Sequence, residues 1–180
     1  MYPSKSRFFI ALLPPSEIQG YVKEIQQYFG DRYASHGVQK SPPHITLQPP
    51  FEWLPEQAPV LEECLSTFTH HRSVPVTLNG FGAFPPRVIY INVLKTQELL
   101  TLQTDLMTHL DLLGIVDQVS KTRPFSPHMT VAFRDLTRQN FKAAWSEFQQ
   151  RQLHFDFTSS YLTLLLHDGK RWNARAEFPL

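Results

Sequence analysis

Thiol chemistry is almost absent from this chain: its 180 residues include one cysteine, Cys64. A lone thiol closes no intrachain disulfide and builds no zinc site of several thiolates, which fits a reducing compartment. An excess of one charge sign is missing too, with 17 Lys and Arg against 16 Asp and Glu, a formal net charge of +1. That balance excludes nonspecific coating of nucleic acid through bulk charge, while leaving room for a small basic site. Long apolar runs are also lacking. The early stretch FFIALLPP is too short, and too soon broken by proline, to be a signal core or a membrane span. The cytoplasm is therefore the expected location, with no membrane partner. Neither a phosphate-cradling glycine loop nor a Gly-x-Ser-x-Gly elbow occurs, so ATP use and serine-esterase chemistry have no support.

What is present points to a folded α+β protein. The 14 Phe, 6 Tyr and 3 Trp supply enough apolar area to offset chain entropy. A length of 180 residues suits one substantial core, or two small lobes sharing one. Phe8 to Leu13 reads as a buried strand ended by Pro14-Pro15. A helix follows, with Ser16 as cap, Ile18, Tyr21, Val22, Ile25 and Phe29 at helical spacing, and Gly30 or Gly37 marking its end or the loop after it. Ile45 to Phe51 reads as a strand, and Glu56 to Phe68 as a helix with a stripe of Val60, Leu61, Cys64, Leu65 and Phe68. Val74 to Phe81 and Val88 to Leu94 are strands around a turn, GFGAFPPR. Next comes a leucine-striped helix from Leu99, closed by Gly114, and a strand from Met129 to Phe133. A helix from Arg138 to Gln149, capped by Thr137, leads to final strands around a turn at Asp168-Gly169. The order suggests two similar α+β lobes with no linker, so residues 1–180 are expected to form one domain.

Two stretches share a pattern: SPPHITLQPP, Ser41 to Pro50, and FSPHMTVAF, Phe125 to Phe133. Strand side chains alternate, so His44 and Thr46 share one face while Ile45 and Leu47 take the other. His128 and Thr130 likewise oppose Met129 and Val131. If the lobes are related by an approximate two-fold axis, the polar faces line a common cleft. Such a cleft suits phosphoryl transfer on a diester. One imidazole takes a proton from the nucleophile and the other protonates the leaving oxygen, both in the natural pKa range of histidine. The threonine hydroxyls hydrogen-bond the non-bridging oxygens. Acid, base and oxyanion contacts are then all side chains, so no metal and no cofactor are expected. The plainer alternative is an internal duplication kept for packing alone.

With both motifs intact, HITL at His44–Leu47 and HMTV at His128–Val131, the chain resembles the 2H phosphoesterase superfamily. The likeness is to its bacterial branch of 2'-5' RNA ligase-like proteins and RNA 2',3'-cyclic phosphodiesterases. It covers essentially the whole chain, including RFFIALLPP and the helix after it. The resemblance implies a bilobal, pseudo-two-fold α+β fold in which two antiparallel sheets flank a central cleft, with helices on the outer faces. It also implies a 2',3'-cyclic phosphate at an RNA or nucleotide end as substrate. His128 would activate water and His44 would protonate the leaving 3' oxygen, giving a 2'-phosphomonoester; some relatives also run 2'-5' RNA ligation. The QPPFEW after the first motif departs from the commoner F-L-G continuation, and leaves the substrate open. Small cyclic nucleotides and ADP-ribose-derived cyclic phosphates are alternatives, as is an RNA-end-binding module that turns nothing over. Nothing demands more than a monomer.

Among the cations Arg7, Arg87, Arg123, Arg134, Lys170 and Arg171, two stand out for substrate binding. Arg134 has the strand parity of His128, and Arg123 lies in the loop entering the same strand. Phe51 and Trp53, at the exit of the first motif strand, are the aromatic candidates for stacking on a base, ahead of Phe84. Phe133 has the parity of the buried face and reads as core; Tyr90 and Tyr161 read as core or rim. The remaining histidines, His36, His70, His71, His109, His154 and His167, form no recognised metal spacing. Cys64 reads as a small core residue.

Overall fold

The computed structural model describes residues 4–69 and 72–180; His70 and His71 lie outside them. Strand β1 (Ser6–Leu12) is buried on both faces from Phe8 onward because it is an inner strand. The motif strand β2 (Ile45–Trp53) pairs on one side of it, and β7 (Tyr161–His167) pairs on the other. With β8 (Trp172–Pro179) they form an antiparallel sheet in the order β2-β1-β7-β8. The second sheet joins β3 (Val74–Phe84), β4 (Val88–Val93), the motif strand β5 (His128–Ala132) and β6 (His154–Ser159), in the order β5-β4-β3-β6.

Each motif strand is thus an edge strand beside the strand that precedes it, and a helix makes the connection. Helix α1 (Ser16–Tyr33) leads from β1 to β2. Helices α3 (Gln97–Asp111) and α4 (Gln118–Thr122) lead from β4 to β5. The bilobal α+β architecture is that expected, but the lobes are not the two halves of the chain. The hairpin β3–β4 from the first half pairs with β6 and β5, whereas the C-terminal hairpin β7–β8 returns to β1. Helices α2 (Ala58–Thr67) and α5 (Arg138–Phe148) complete the layers. Among the described residues, no helix is long and apolar enough to cross a membrane.

The core follows the helical stripes. Phe29 of α1 packs on Phe148 of α5 with ring centroids 4.6 Å apart, and Phe148 meets Phe81 of β3 at 5.1 Å. Truncating such a buried Phe costs about 3–5 kcal/mol, a large share of a marginal fold. Glu147 of α5 accepts hydrogen bonds from Tyr28 at 2.7 Å and Tyr33 at 2.5 Å, tying the same two helices at their rim.

Several local expectations need correction. Ser16 is not the cap: α1 has Pro15 at its N-cap position with no side-chain cap, and Ser16 is already helical. Gly30 does not end α1 but lies inside it, where a Cβ would come within 2.8 Å of Gln39 Nε2 and His36 Nδ1. A larger residue there would have to displace those two side chains. Helix α1 instead stops at Ala34, a left-handed residue with φ 54°. In α2, Val60 is 48% exposed and Cys64 half-buried, because the inward line of the helix runs through Ala58, Leu61 and Leu65 and leaves both on its flank. A 3-10 turn at Pro55–Gln57 precedes the helix, which starts at Ala58. The supposed turn from Gly80 to Phe84 is mostly strand, and β3 runs to Phe84. The caps of α3 (Thr96) and α5 (Thr137) accept hydrogen bonds from Leu99 N and Asn140 N.

An L-residue in the left-handed region costs about 1–2 kcal/mol that glycine avoids. Ala34→Gly should therefore raise stability by about 1 kcal/mol after glycine's own entropy cost, read as a higher urea midpoint with unchanged m value. A lower midpoint would contradict this account of the helix end.

Candidate active site

The two motifs are built alike at the level of single hydrogen bonds. His44 Nδ1 lies 2.7 Å from the Pro42 carbonyl oxygen, and His128 Nδ1 lies 2.7 Å from that of Ser126. A carbonyl oxygen only accepts, so Nδ1 carries the hydrogen in both rings and Nε2 is the nitrogen left for chemistry. Both acceptors sit two residues before the histidine, with a buried proline, Pro43 or Pro127, between. Proline disfavours the helical region for the residue before it, so Pro42 and Ser126 are biased toward the extended backbone from which their carbonyls reach the ring.

Beyond each histidine the strand alternates as expected. Ile45, Leu47, Met129 and Val131 are buried, while Thr46 and Thr130 are half-buried on the opposite face. The alternation ends early in β2. Thr46 pairs with Ala11 but Gln48 pairs with Ile10, so Leu47 is an extra residue in a bulge. Gln48 is therefore turned away from the motif face despite its parity with Thr46; it is 3% exposed and donates to the Pro49 carbonyl at 3.0 Å.

The two polar faces line one cleft of about 520 Å3 containing His44, Thr46, His128 and Thr130. Arg7, Lys40, Arg123, Arg134 and Lys170 also line it, and no described Asp or Glu does. Aromatic rings back both imidazoles. Phe9 lies 4.8 Å from the His44 ring and 4.7 Å from Trp172. Phe84 and Tyr90 lie 5.1 and 5.2 Å from the His128 ring. Tyr90 leans over Gly82 of β3, where a Cβ would come within 2.5 Å of its ring.

This environment depresses both imidazoles. Burial pushes His44 below its ordinary pKa, and neighbouring His128 adds to the effect while the Pro42 carbonyl opposes it. For His128 burial again dominates, opposed by the Ser126 carbonyl and reinforced by the charge of Arg123. An anion in the cleft reverses the balance by favouring the protonated forms. Among the described residues, no group of three His, Cys, Asp or Glu side chains is placed to hold a metal ion.

Arg123 and Arg134 line the cleft; Phe51 and Trp53 do not. Phe51 packs over Phe8 at 6.1 Å, and Trp53 donates to the Gln57 carbonyl at 2.9 Å, because β2 carries both away from the cleft toward α2. Arg134 arrives by a route other than alternation. β5 ends at Ala132, and Arg134 takes a left-handed φ of 58°. Phe133, expected in the core, is half-buried at the cleft wall with the Arg134 guanidinium 5.1 Å from its ring centroid. Arg7 and Lys170 join the lining, whereas Arg87 and Arg171 do not. Sequence reasoning missed Phe9, Lys40 and Trp172 and passed over His167 as a possible cleft residue. For Phe9 a signal existed, since it alternates with the core residues Phe8 and Ile10 and shares a face with Ala11. Of the other histidines, His109 meets the Cys64 carbonyl at 2.7 Å and His154 pairs with Asp156 at 2.8 Å.

One carboxylate ties the motifs together from outside the cleft. Asp135, just past β5, accepts hydrogen bonds from His36 N (2.7 Å), Gly37 N (2.9 Å) and Ser35 Oγ (2.9 Å). Burial disfavours its charge, but these bonds outweigh burial and hold the carboxyl below the usual range. The exit of the second motif is thereby fastened to the 3-10 turn Gly37–Lys40 that precedes the first. Buried Gln26 of α1 adds a second tie, donating to the Thr130 carbonyl at 3.2 Å.

A pseudo-two-fold pair of antiparallel sheets that directs two His-x-Thr strands into one cleft defines a two-histidine phosphoesterase. The chain belongs to the 2'-5' RNA ligase superfamily, whose profile matches residues 14–171. Among its relatives, a candidate phosphoesterase of Geobacillus kaustophilus is 28% identical over 162 residues, 88% of this chain and 87% of that one. Another, of Bacillus cytotoxicus, is 28% identical over 176 residues, 95% of each chain. The fold is also that of E. coli LigT, solved with 3'-AMP, with a TM-score of 0.72 at 18% identity over 98% of this chain and 99% of that one. A structure from Thermus thermophilus gives 0.68 at 19% identity over 97% of each chain.

The depressed imidazoles make the fold sensitive to acid. A histidine whose folded pKa lies below its unfolded value of about 6.5 binds fewer protons folded than unfolded as pH falls through that value. Its stabilising contribution is complete above the unfolded pKa and shrinks below it. Calorimetric melting from pH 7.5 to 5.5 should thus show a larger loss of Tm for the wild type than for a His44→Gln/His128→Gln double variant. Equal slopes would contradict the buried placement of the rings.

Proposed function

We propose that the protein hydrolyses 2',3'-cyclic phosphodiesters at RNA or nucleotide ends to 2'-phosphomonoesters, without a metal ion. The observation that carries this reading is the matched pair of imidazoles. Each presents Nε2, with Nδ1 anchored on a backbone carbonyl, in a cleft lined by cations and free of carboxylates among the described residues. Such a cleft favours an anion and repels none of its charge.

The reaction follows from proton positions. Neutral His128 removes a proton through Nε2 from a water that attacks phosphorus. Protonated His44 delivers its Nε2 proton to the 3' oxygen as the P–O3' bond breaks. The 2' oxygen keeps the phosphate, and the two rings end in exchanged protonation states that solvent resets. Burial favours the neutral form of both rings, and the charge of Arg123 adds to it at His128 alone. Thr46 and Thr130 are the hydroxyls for the non-bridging oxygens, and Arg123 and Arg134 neutralise the developing charge. The same cleft run with a 5' hydroxyl in place of water would give 2'-5' ligation. Solved structures of LigT hold 3'-AMP, NADP+ and ATP, which supports a nucleotide-sized occupant here.

Turnover of an oligonucleotide ending in a 2',3'-cyclic phosphate, in chelator, tests the reading by the appearance of a 2'-phosphate. His44→Ala and His128→Ala should each lower kcat/KM by about 10^2 to 10^4, and Thr46→Val or Thr130→Val by about 10^2. Binding without product at any pH would make the protein an RNA-end binder instead.

The pH profile supplies a separate check. A cyclic phosphodiester stays a monoanion across the working range, so the profile reports the imidazoles. With both free-enzyme pKa values depressed, kcat/KM should follow a bell centred below pH 6.5, while bound anion shifts kcat toward higher pH. A kcat/KM bell centred above pH 7 would show that burial does not control the pair.

A further inference from the structure

A second groove, of about 600 Å3, lies behind the first motif between α1 and the start of β8. Ser41 and Trp172 line both this groove and the cleft of the motif histidines, so the two adjoin. Its walls carry Lys23 and Arg171, both exposed, with the carboxamides of Gln19, Gln27 and Gln39, and no described Asp or Glu lines it. The walls are pre-set by hydrogen bonds: Gln19 donates to the Pro14 carbonyl at 2.9 Å, Gln39 to that of Gln26 at 3.2 Å, and Arg171 to that of Gln39 at 3.2 Å. Gln27 donates to the Asp31 carboxylate at 2.8 Å, just outside the lining. Cations set among amides match a phosphodiester chain and its bases.

We infer that this groove seats the nucleotides upstream of the cyclic end, so that the substrate is a single RNA strand and not a mononucleotide. The inference rests on the proposed reaction, including the assignment of His44 to the 3' oxygen. In that assignment the terminal ribose stands on the His44 side of the cleft, and its 5' carbon leads to the next phosphate. Pro42, whose carbonyl holds the His44 ring, also edges the groove. A strand leaving the cleft on that side meets the groove lined by Lys23 and Arg171. The cleft also adjoins another groove, through Arg123 and along α3 and α4. That one carries Asp111 in its wall, paired with Lys121 at 2.9 Å, and lies on the side where water attacks.

The test compares a 2',3'-cyclic mononucleotide with strands of two to four nucleotides that end in the same cyclic nucleotide. Turnover is measured on the wild type, and binding is measured by calorimetry on a His44→Ala/His128→Ala variant. Both kcat/KM and affinity should rise with strand length. Lys23→Ala and Arg171→Ala should each remove roughly two- to fivefold of the strand's advantage and reduce the salt slope of log K by about 0.7. Neither should change the mononucleotide. Equal affinity for strand and mononucleotide, or a strand advantage that survives both substitutions, overturns the inference. Length-dependent binding without any turnover would uphold the groove and sink the proposed hydrolysis; equal turnover and binding at every length would do the reverse.

Discussion

The site depends on one repeated interaction, an imidazole Nδ1–H donated to the carbonyl two residues earlier. As a contribution to stability each bond is modest, about 1 kcal/mol. Its larger effect is to choose the tautomer and fix the ring plane, so that Nε2 of His44 and of His128 are the nitrogens without a hydrogen. The buried prolines at 43 and 127 restrict the backbone that presents the acceptor. Much of the site's preorganisation is thus local, built within a few residues of each histidine.

The rest of the fold brings the two local units together and keeps opposite charge away from them. Both motif strands are sheet edges, and ties outside the cleft hold their flanks in register. Asp135 is informative because it is an acid within reach of the site that does not line it. Its carboxylate is consumed by the backbone N–H groups of His36 and Gly37 and the Ser35 hydroxyl. A free carboxylate in the cleft would neutralise the cations and raise both imidazole pKa values. The cleft is instead left short of negative charge, a local destabilisation of the kind functional sites carry, and the phosphodiester proposed as substrate would supply what is missing.

Pseudo-symmetry explains why the pattern occurs twice, and its imperfections give the two rings different surroundings. His44 faces Phe9 and, beyond it, Trp172, whereas His128 faces Phe84 and Tyr90 and feels Arg123. Two identical imidazoles would divide a proton evenly. Unequal neighbours would allow the proposed division of one ring as acid and the other as base.

The histidines, threonines and alternating apolar residues were legible from the sequence because strand periodicity is a local property. His44 with Thr46, and His128 with Thr130, face one way whatever the rest of the chain does. The two-lobed α+β plan was legible too, from the order of apolar stripes and turns. What the sequence could not decide were matters of strand pairing. Phe51 and Trp53 lie close to the first motif along the chain, yet β2 carries them off toward α2. Trp172 and Lys170 are far away in sequence, yet enter the cleft because β7 pairs with β1 and brings the β7–β8 turn beside it. Arg134 shows the limit of parity, since the strand ended before its alternation could apply. By itself the sequence determined which histidines and threonines are paired by a repeated motif and which way each strand presents them. Only the tertiary structure decided what surrounds them, because cleft walls are assembled by long-range pairing that periodicity along one strand does not encode.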